Sequence, residues 1–337
     1  MKQLISICVP VLNEAANIAP LLDRLAQVLP TLQDRFDVDM ELVVTDNCST
    51  DGTFDIIQSE IEQRADLPFA VRAFRFARNI GFQKSILAGY TKARGAAVVQ
   101  IDADLQDPPE LIGDFIEKWR DGYQVVFGVR THREEGKAIT WLRKGFYRLL
   151  DMVSDDPLPH DSGDFRLIDR SLVDVVIALR DHDPYLRGGI ASLGMKQIGV
   201  PYRRTARQRG ESKFRLYDLI RLGWDAVTNH SVVPLRLSTW FAVACFCALA
   251  LLSVYFLLIG LFGSGDLPLG YVSTMLVLLG GFGFVSLLLG LQGQYVARIY
   301  SQLKERPLAI VVDQISSEAD EDAKPAVEVM WSGKPGG

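Results

Sequence analysis

The chain has 337 residues, a formal net charge of −5 and a sequence pI near 5.5. That length allows one large domain or two smaller ones, and the mild acidity excludes the basic footprint of a nucleic-acid-binding protein. Cys8, Cys48, Cys245 and Cys247 show no metal-ligand spacing, so free thiols in a cytosolic domain are expected, with no signal peptide ahead of the strand-like run that begins at Leu4. Residues 4–11 (Leu-Ile-Ser-Ile-Cys-Val-Pro-Val) read as a buried strand, followed by a helix from Asn13 to about Leu32 with Ile18, Leu21, Leu22, Leu25 and Leu29 on one face. A strand over 41–45 ends in Asp46-Asn47-Cys48-Ser49-Thr50-Asp51-Gly52-Thr53, which is loop and helix-capping chemistry. A helix over 53–64, a strand over 69–76, a turn at Asn79–Phe82, a helix over 83–93, a strand over 96–101, a helix over 109–120 and a strand over 124–129 follow. This alternation predicts an α/β fold, a largely parallel, doubly wound sheet, in which ligands bind at the carboxyl ends of strands.

The second half is different in kind. A basic, aromatic amphipathic helix is expected over 137–153, and Asp161-Ser162-Gly163-Asp164-Phe165-Arg166 precedes a helix starting near Asp169. Residues 203–221 are strongly basic, and 214–233 form an amphipathic segment of the kind that lies among lipid headgroups. No charged residue occurs between Arg236 and Asp266, or between Asp266 and Arg298. Each gap exceeds the roughly 20 residues needed to span a bilayer, so transmembrane helices are expected at about 239–262 and 271–292. Arg221 and Arg236 precede the first span, Arg298, Lys304 and Arg306 follow the second, and the connecting loop has none. The positive-inside rule then places both ends in the cytosol. The expected organisation is a catalytic domain over 1–213, a juxtamembrane segment over 214–235, two spans within 236–300, and a largely disordered tail over 301–337. The segments 137–153 and 214–233 also offer surfaces for a homo-oligomer.

The run Val98–Gln100-Ile101-Asp102-Ala103-Asp104 carries the chemistry. Alternate residues of a strand share a face, so Asp102 and Asp104 point the same way at its end. Two converging carboxylates need a cation or donors to answer them. A divalent ion carrying a diphosphate is one answer, since Mg²⁺ takes few carboxylates plus phosphate oxygens; a solvated acidic turn is the other. Arg207, Arg209 and Lys213 are spaced to gather around a phosphate, and attraction to anionic lipid accounts for them equally well.

The chain resembles the polyprenyl-phosphate glycosyltransferases, inverting family 2 enzymes of GT-A fold similar to dolichyl-phosphate mannose synthase and bacterial undecaprenyl-phosphate glucosyltransferases. The resemblance runs from about residue 4 to residue 300. It is carried by Val9-Pro10-Val11-Leu12-Asn13-Glu14, Asp46–Thr53, Arg78-Asn79-Ile80-Gly81, Asp102–Pro109, Gly163-Asp164-Phe165-Arg166 and Arg207-x-x-Gly210-Glu211-Ser212-Lys213, in order and followed by two apolar stretches. Asn47-Cys48 departs from the Asp-Gly commoner in the family.

The resemblance implies that Pro10, Leu12, Glu14 and Asp46 hold the nucleoside and that Asp102 and Ala103 touch the ribose and diphosphate. Asp104 and Gln106 would bind Mg²⁺ or Mn²⁺. Arg130, Arg207, Arg209 and Lys213 would hold phosphates, and Asn79 and Lys84 would close over the nucleotide. Asp164 is the candidate base or acceptor-orienting group, with a purely structural partnership to Arg166 as its alternative. The implied reaction moves a hexose from a nucleotide sugar to a polyprenyl phosphate at the cytoplasmic membrane. UDP-glucose is the lead donor, ahead of UDP-aminosugars and GDP-mannose, and undecaprenyl phosphate the lead acceptor. A processive synthase would carry Gln-x-x-Arg-Trp and more spans, neither of which is found. A nucleotidyltransferase would have no use for spans. An inactive scaffold is disfavoured by the intact Asp102, Asp104 and Gln106.

Overall fold

The computed structural model describes residues 2–64, 67–131, 162–181, 184–204, 270–303, 307–317 and 327–330, with single positions at 251, 254 and 258. The chain divides into two compact units, one comprising Met1–Asp151, Asp156–Leu216 and Glu305–Gly337, the other Met152–Asp155 and Tyr217–Lys304. The first unit is built on a nine-stranded sheet. Its strands are β1 (Gln3–Val11), β2 (Val38–Asp46), β3 (Ala70–Phe76), β4 (Ala97–Gln100), β5 (Val125–Arg130), β6 (Ser162–Asp169), β7 (Gln197–Tyr202), β8 (Ala309–Ser316) and β9 (Glu328–Met330), in the order β7-β5-β6-β4-β1-β2-β3-β8-β9.

The centre of this sheet is the expected parallel array. β1 pairs with β2 and β4, and β2 with β3, all parallel. β1 is buried from Ile5 to Val11 with no alternation, as a strand covered on both faces must be. The covering helices are α1 (Ala15–Phe36), α2 (Thr53–Gln63), α3 (Phe82–Lys92), α4 (Leu111–Arg120), α5 (Arg170–Ala178) and α6 (Leu186–Ser192). The apolar stripe of α1 continues past the expected end through buried Leu32 and Phe36, and the helix closes on Asp37 in the left-handed region, φ 47°.

The flanks correct the sequence expectation in three ways. Residues 162–169, to which the sequence assigned no element, form a strand antiparallel to both β4 and β5, and the helix expected near Asp169 follows it as α5. Pairs β3–β8 and β8–β9 are antiparallel too, so the parallel arrangement is confined to the centre and to β5–β7. The tail expected to be disordered supplies β8 and β9. Its acidic content hid a short β pattern in which Ala309 and Val311 alternate with more exposed residues, and Leu308 and Met330 are buried alongside. Neither β7 nor α6 was expected.

In the second unit, helix α7 spans Gly270–Leu303, 34 residues. Among the described residues, no helix is long and apolar enough to cross a membrane; several side chains of α7, among them those at 271–273, lie outside the described set. The expected helix over 137–153, the amphipathic segment over 214–233, the first span, and Arg207, Arg209 and Lys213 also lie outside the described residues.

Candidate active site

The carboxyl ends of β2, β1 and β4 lie side by side, and neighbouring strands are about 4.8 Å apart, so the outer two ends are separated by about 10 Å. Asp46 closes β2 opposite Val11 of β1, and Asp102 and Asp104 follow β4. The sheet therefore brings together acids that are 56 and 58 positions apart in the chain (46 to 102 and 46 to 104).

On the β1–β2 side, two loops are stitched into a cradle. Asn13 N donates to Ser49 Oγ (2.8 Å), Glu14 N to Thr53 Oγ1 (3.0 Å), Ala15 N to Asp51 Oδ2 (3.1 Å), and Thr50 N to Asn13 Oδ1 (2.8 Å). These bonds satisfy the opening turn of α1 and fix the chain after Pro10 and Leu12. Asn13 and Cys48 both sit at positive φ, 55° and 64°, strain of a kind that collects at functional sites. The Glu14 carboxylate accepts from Asn17 Nδ2 at 2.5 Å.

Asp46 lies at the floor of the cradle with 0% exposure. Its Oδ1 accepts from Ser49 N (3.1 Å) and from Ser49 Oγ. Its Oδ2 is buried without a hydrogen-bond donor; Arg75 Nε approaches it at 3.6 Å. Burial pushes the Asp46 pKa up, against the pull of Ser49 and Arg75. A buried acceptor left open is costly, and this one sits at the carboxyl end of β2. Asn79 does not stand alone: Asn47 Nδ2 and Gly81 N both donate to its Oδ1 (2.9 Å each), and Ile80 N donates to Asn47 Oδ1 (2.8 Å). Lys84 is half-buried in the first turn of α3.

On the β4 side, Asp104 Oδ1 accepts from Gln106 N at 3.1 Å, closing a turn whose Leu105 has φ 55°. Ala103 is buried. Asp102 is pushed up to about 7, first by burial and then by Asp164, Asp107 and Asp104, with Arg204 opposing. Arg204 Nη2 lies 3.8 Å from Asp102 Oδ2 and 3.9 Å from Asp104 Oδ2. Its Nε donates to Asp107 Oδ1 at 3.1 Å. Asp107 also accepts from Tyr202 Oη (2.5 Å), and Tyr202 Oη accepts from Arg130 Nε (3.3 Å). The Tyr202 ring stands edge-on to Phe165, centroids 6.1 Å apart, and Phe165 packs on Phe115 at 4.8 Å, so this polar cluster rests on the aromatic core.

β6 carries Asp164 to the same place. Gln100 pairs with Arg166 in the β4–β6 register, and two steps further the antiparallel count sets Asp102 against Asp164. Arg187 of α6 grips Asp164 with both nitrogens, Nε to Oδ1 at 2.8 Å and Nη2 to Oδ2, and Arg166 stands 3.8 Å off. Burial opposes ionisation of Asp164, but Arg187, Arg166 and Arg130 together hold its pKa below the usual carboxylate value. A carboxylate so held is a weak proton acceptor and a good anchor for arginines.

The structure thus gathers Asp102, Ala103, Asp104, Gln106, Asp164 and Arg130 at one end of the sheet, and Pro10, Leu12, Glu14, Asp46 and Asn79 beside them. Sequence reasoning assigned no role to Arg75, Asp107, Arg187, Tyr202 or Arg204. Asp107 stood inside a motif already singled out, and Arg204 inside the basic run. Arg187 lies in no pattern, and only the contact of its side chain with Asp164 reveals it. The donor set suits a hard divalent ion: two carboxylates converge on one point, and a cationic group, the Arg204 guanidinium, already occupies the space between them.

Acids at the carboxyl ends of parallel strands on this α/β frame fit the GT-A arrangement expected from the sequence. Residues 6–177 match the family model described as glycosyl transferase family 2, and the chain belongs to that family. It is 38% identical over 312 residues to a Bacillus subtilis protein described as the uncharacterized glycosyltransferase YkcC, covering 91% of this chain and 92% of the relative. It is 31% identical over 311 residues to the SfII prophage-derived bactoprenol glucosyl transferase of Shigella flexneri, covering 91% and 97%. Among solved structures, a Pyrobaculum calidifontis mannosyltransferase in complex with GDP-Man and Mn²⁺ aligns at 19% identity and a TM-score of 0.46, covering 90% of this chain and 88% of that one.

Proposed function

We propose that this glycosyltransferase moves a hexose from a nucleotide sugar to a polyprenyl phosphate, with UDP-glucose the lead donor and undecaprenyl phosphate the lead acceptor. The observation that carries the donor side is the pairing of Asp46, whose buried Oδ2 lacks a donor, with Asp102 and Asp104 two strands away. The imide N–H of uracil would satisfy Asp46, and the diphosphate would reach Asp102 and Asp104. Support for the acceptor comes from the Shigella flexneri relative, named a bactoprenol glucosyl transferase and aligned over nearly the whole chain, and from the basic run that includes Arg207, Arg209 and Lys213.

In this reading Pro10, Leu12 and Glu14 line the nucleoside cradle, and Asn79 and Lys84 border it. Asp104 and Gln106 would hold Mg²⁺ or Mn²⁺, which when bound supplies charge to stabilise the leaving diphosphate. The lipid phosphate is already anionic near neutral pH and attacks without a strong base. The chain's own task is to bring two anions together. Arg130 and Arg204, with Arg207, Arg209 and Lys213, would do this by charge, while Arg187 holds Asp164 in place. A single displacement inverts the anomeric centre.

The membrane reading rests on the absence of charge from residue 267 to residue 297 and on the 34-residue length of α7. At 1.5 Å per residue that helix is about 51 Å long, more than a hydrocarbon core of about 30 Å. With a second span at about 239–262, the protein would sit in the cytoplasmic membrane with the catalytic unit and both termini in the cytosol. Transfer of radiolabelled sugar to undecaprenyl phosphate tests the whole reading, using a panel of UDP- and GDP-sugars with Mg²⁺, Mn²⁺ or chelator. A chelator-sensitive lipid product from one donor, lost in Asp104→Ala, is expected. Transfer to water or to a soluble acceptor alone would reject the lipid acceptor.

A further inference from the structure

Arg204 holds three carboxylates in two different ways. Its Nε makes a bond of hydrogen-bond length to Asp107 Oδ1, 3.1 Å. Its Nη2 reaches Asp102 and Asp104 only at 3.8 and 3.9 Å, ionic contacts too long for hydrogen bonds. The anchor, Asp107, is 1% exposed, while the arginine side chain is 25% exposed. One edge of the guanidinium is therefore fixed in the protein. The other hovers, partly open, between the two carboxylates to which the metal and diphosphate are assigned above.

We infer that Arg204 is a built-in stand-in for the metal ion. In the free enzyme its Nη2 neutralises Asp102 and Asp104. When a divalent ion arrives with the nucleotide diphosphate, that edge of the guanidinium is displaced onto phosphate oxygens while Nε keeps Asp107. A doubly charged ion in direct contact with a carboxylate outcompetes a single charge nearly 4 Å away. The released fork then meets the geometry that guanidinium matches well, two oxygens of a phosphate. The arrangement gives one side chain opposite effects on two ligands: it competes with the bare metal and assists the nucleotide. The inference rests on the reading of Asp102 and Asp104 as the metal–diphosphate site.

The test measures binding rather than turnover, with the full chain in detergent. Free Mn²⁺ is followed by EPR without nucleotide, and UDP binding by calorimetry at saturating Mn²⁺, for the wild type, Arg204→Gln, Arg204→Lys and Asp104→Asn. Arg204→Gln is expected to bind Mn²⁺ about two- to fivefold more tightly, the range of one part-exposed ion-pair contribution, and to bind UDP more weakly. Arg204→Lys keeps the charge and is expected to lie between the wild type and Arg204→Gln in both. Weaker or unchanged Mn²⁺ binding in Arg204→Gln overturns the inference, as does equality of the lysine and glutamine variants. A merely structural arginine would weaken both ligands together. Unchanged Mn²⁺ affinity in Asp104→Asn would instead remove the metal reading underneath, and the two failures are told apart.

Discussion

Asp46 and Asp164 are both buried acids, and their surroundings push them in opposite directions. Asp46 is raised by burial, with only Ser49 and a distant Arg75 in opposition. Because the ionised form is the better acceptor for a base N–H, UDP affinity is expected to weaken on acidification at a higher pH than an ordinary carboxylate would give. Calorimetry of UDP against pH checks this, and Asp46→Asn, which keeps an acceptor for Ser49, should lower affinity roughly tenfold or more, the cost of one buried charged hydrogen bond. Asp164 is held down by Arg187 despite its burial. A depressed carboxyl contributes stability that is present above its unfolded pKa, about 3.9 for an aspartate, and lost as pH falls through the lower native value. Arg187→Ala leaves Asp164 buried and poorly paired, and should cost about 3–5 kcal/mol in denaturant unfolding at pH 7, with a smaller loss at pH 3. Gly163 is a different kind of constraint. A Cβ there would stand 2.9 Å from Arg130 Nη2 and 3.4 Å from its Cζ. The guanidinium can move aside, so Gly163→Ala should change stability by less than about 1 kcal/mol while reducing transfer through a displaced Arg130; melting and initial rates measured together would show the split.

Among the elements, β8 has the clearest consequence. It follows α7 by only a few residues and pairs antiparallel with β3, Arg75 opposite Asp313, and Ala77 N donates to Ile310 O at 2.9 Å. β3 is the strand that delivers Arg75 and the Asn79 turn to the nucleoside cradle. β9 completes the edge, with Lys92 Nζ 2.5 Å from Glu328 Oε2. Leu308, Ala309, Val311 and Met330 are all at most 6% exposed. The larger of these side chains contribute roughly 1.5–3 kcal/mol each when buried, against a typical domain stability of about 5–15 kcal/mol. Truncation after residue 304 is therefore expected to lower the melting temperature sharply and to abolish UDP binding, although it removes no residue assigned to the site. Retention of full UDP affinity would show that β3 holds its loop unaided. α5 offers a smaller case of the same logic. Asp169 caps it through Ser171 N (3.0 Å) and accepts from Trp119 Nε1 of α4 (2.7 Å), so one side chain fastens two helices.

For the molecule as a whole, local order in the sequence and the legibility of the fold go together. The alternation of periods along residues 4–129 was enough for the central parallel strands and their helices, because each of those elements is set by its own apolar pattern and bounded by turn residues. The placement of Asp46, Asp102 and Asp104 was legible for the same reason: Asp46 ends β2, Asp102 and Asp104 follow β4, and in a parallel sheet the carboxyl ends of neighbouring strands lie side by side. The charge-free stretch from 267 to 297 was equally plain as a pattern, and over most of it the structure shows one long helix, α7. What the chain could not show locally was the pairing of distant segments. β6 and β8 are antiparallel insertions whose short patterns become strands only beside β4, β5 and β3. The tight grip on Asp164 comes from Arg187, 23 residues later, and the cation between Asp102 and Asp104 comes from Arg204, about a hundred residues on. A sequence determines which segments are buried and where they turn. Which arginine faces which carboxylate is decided by sheet order and helix packing, because electrostatic partnership depends on distance in space and leaves no period in the chain.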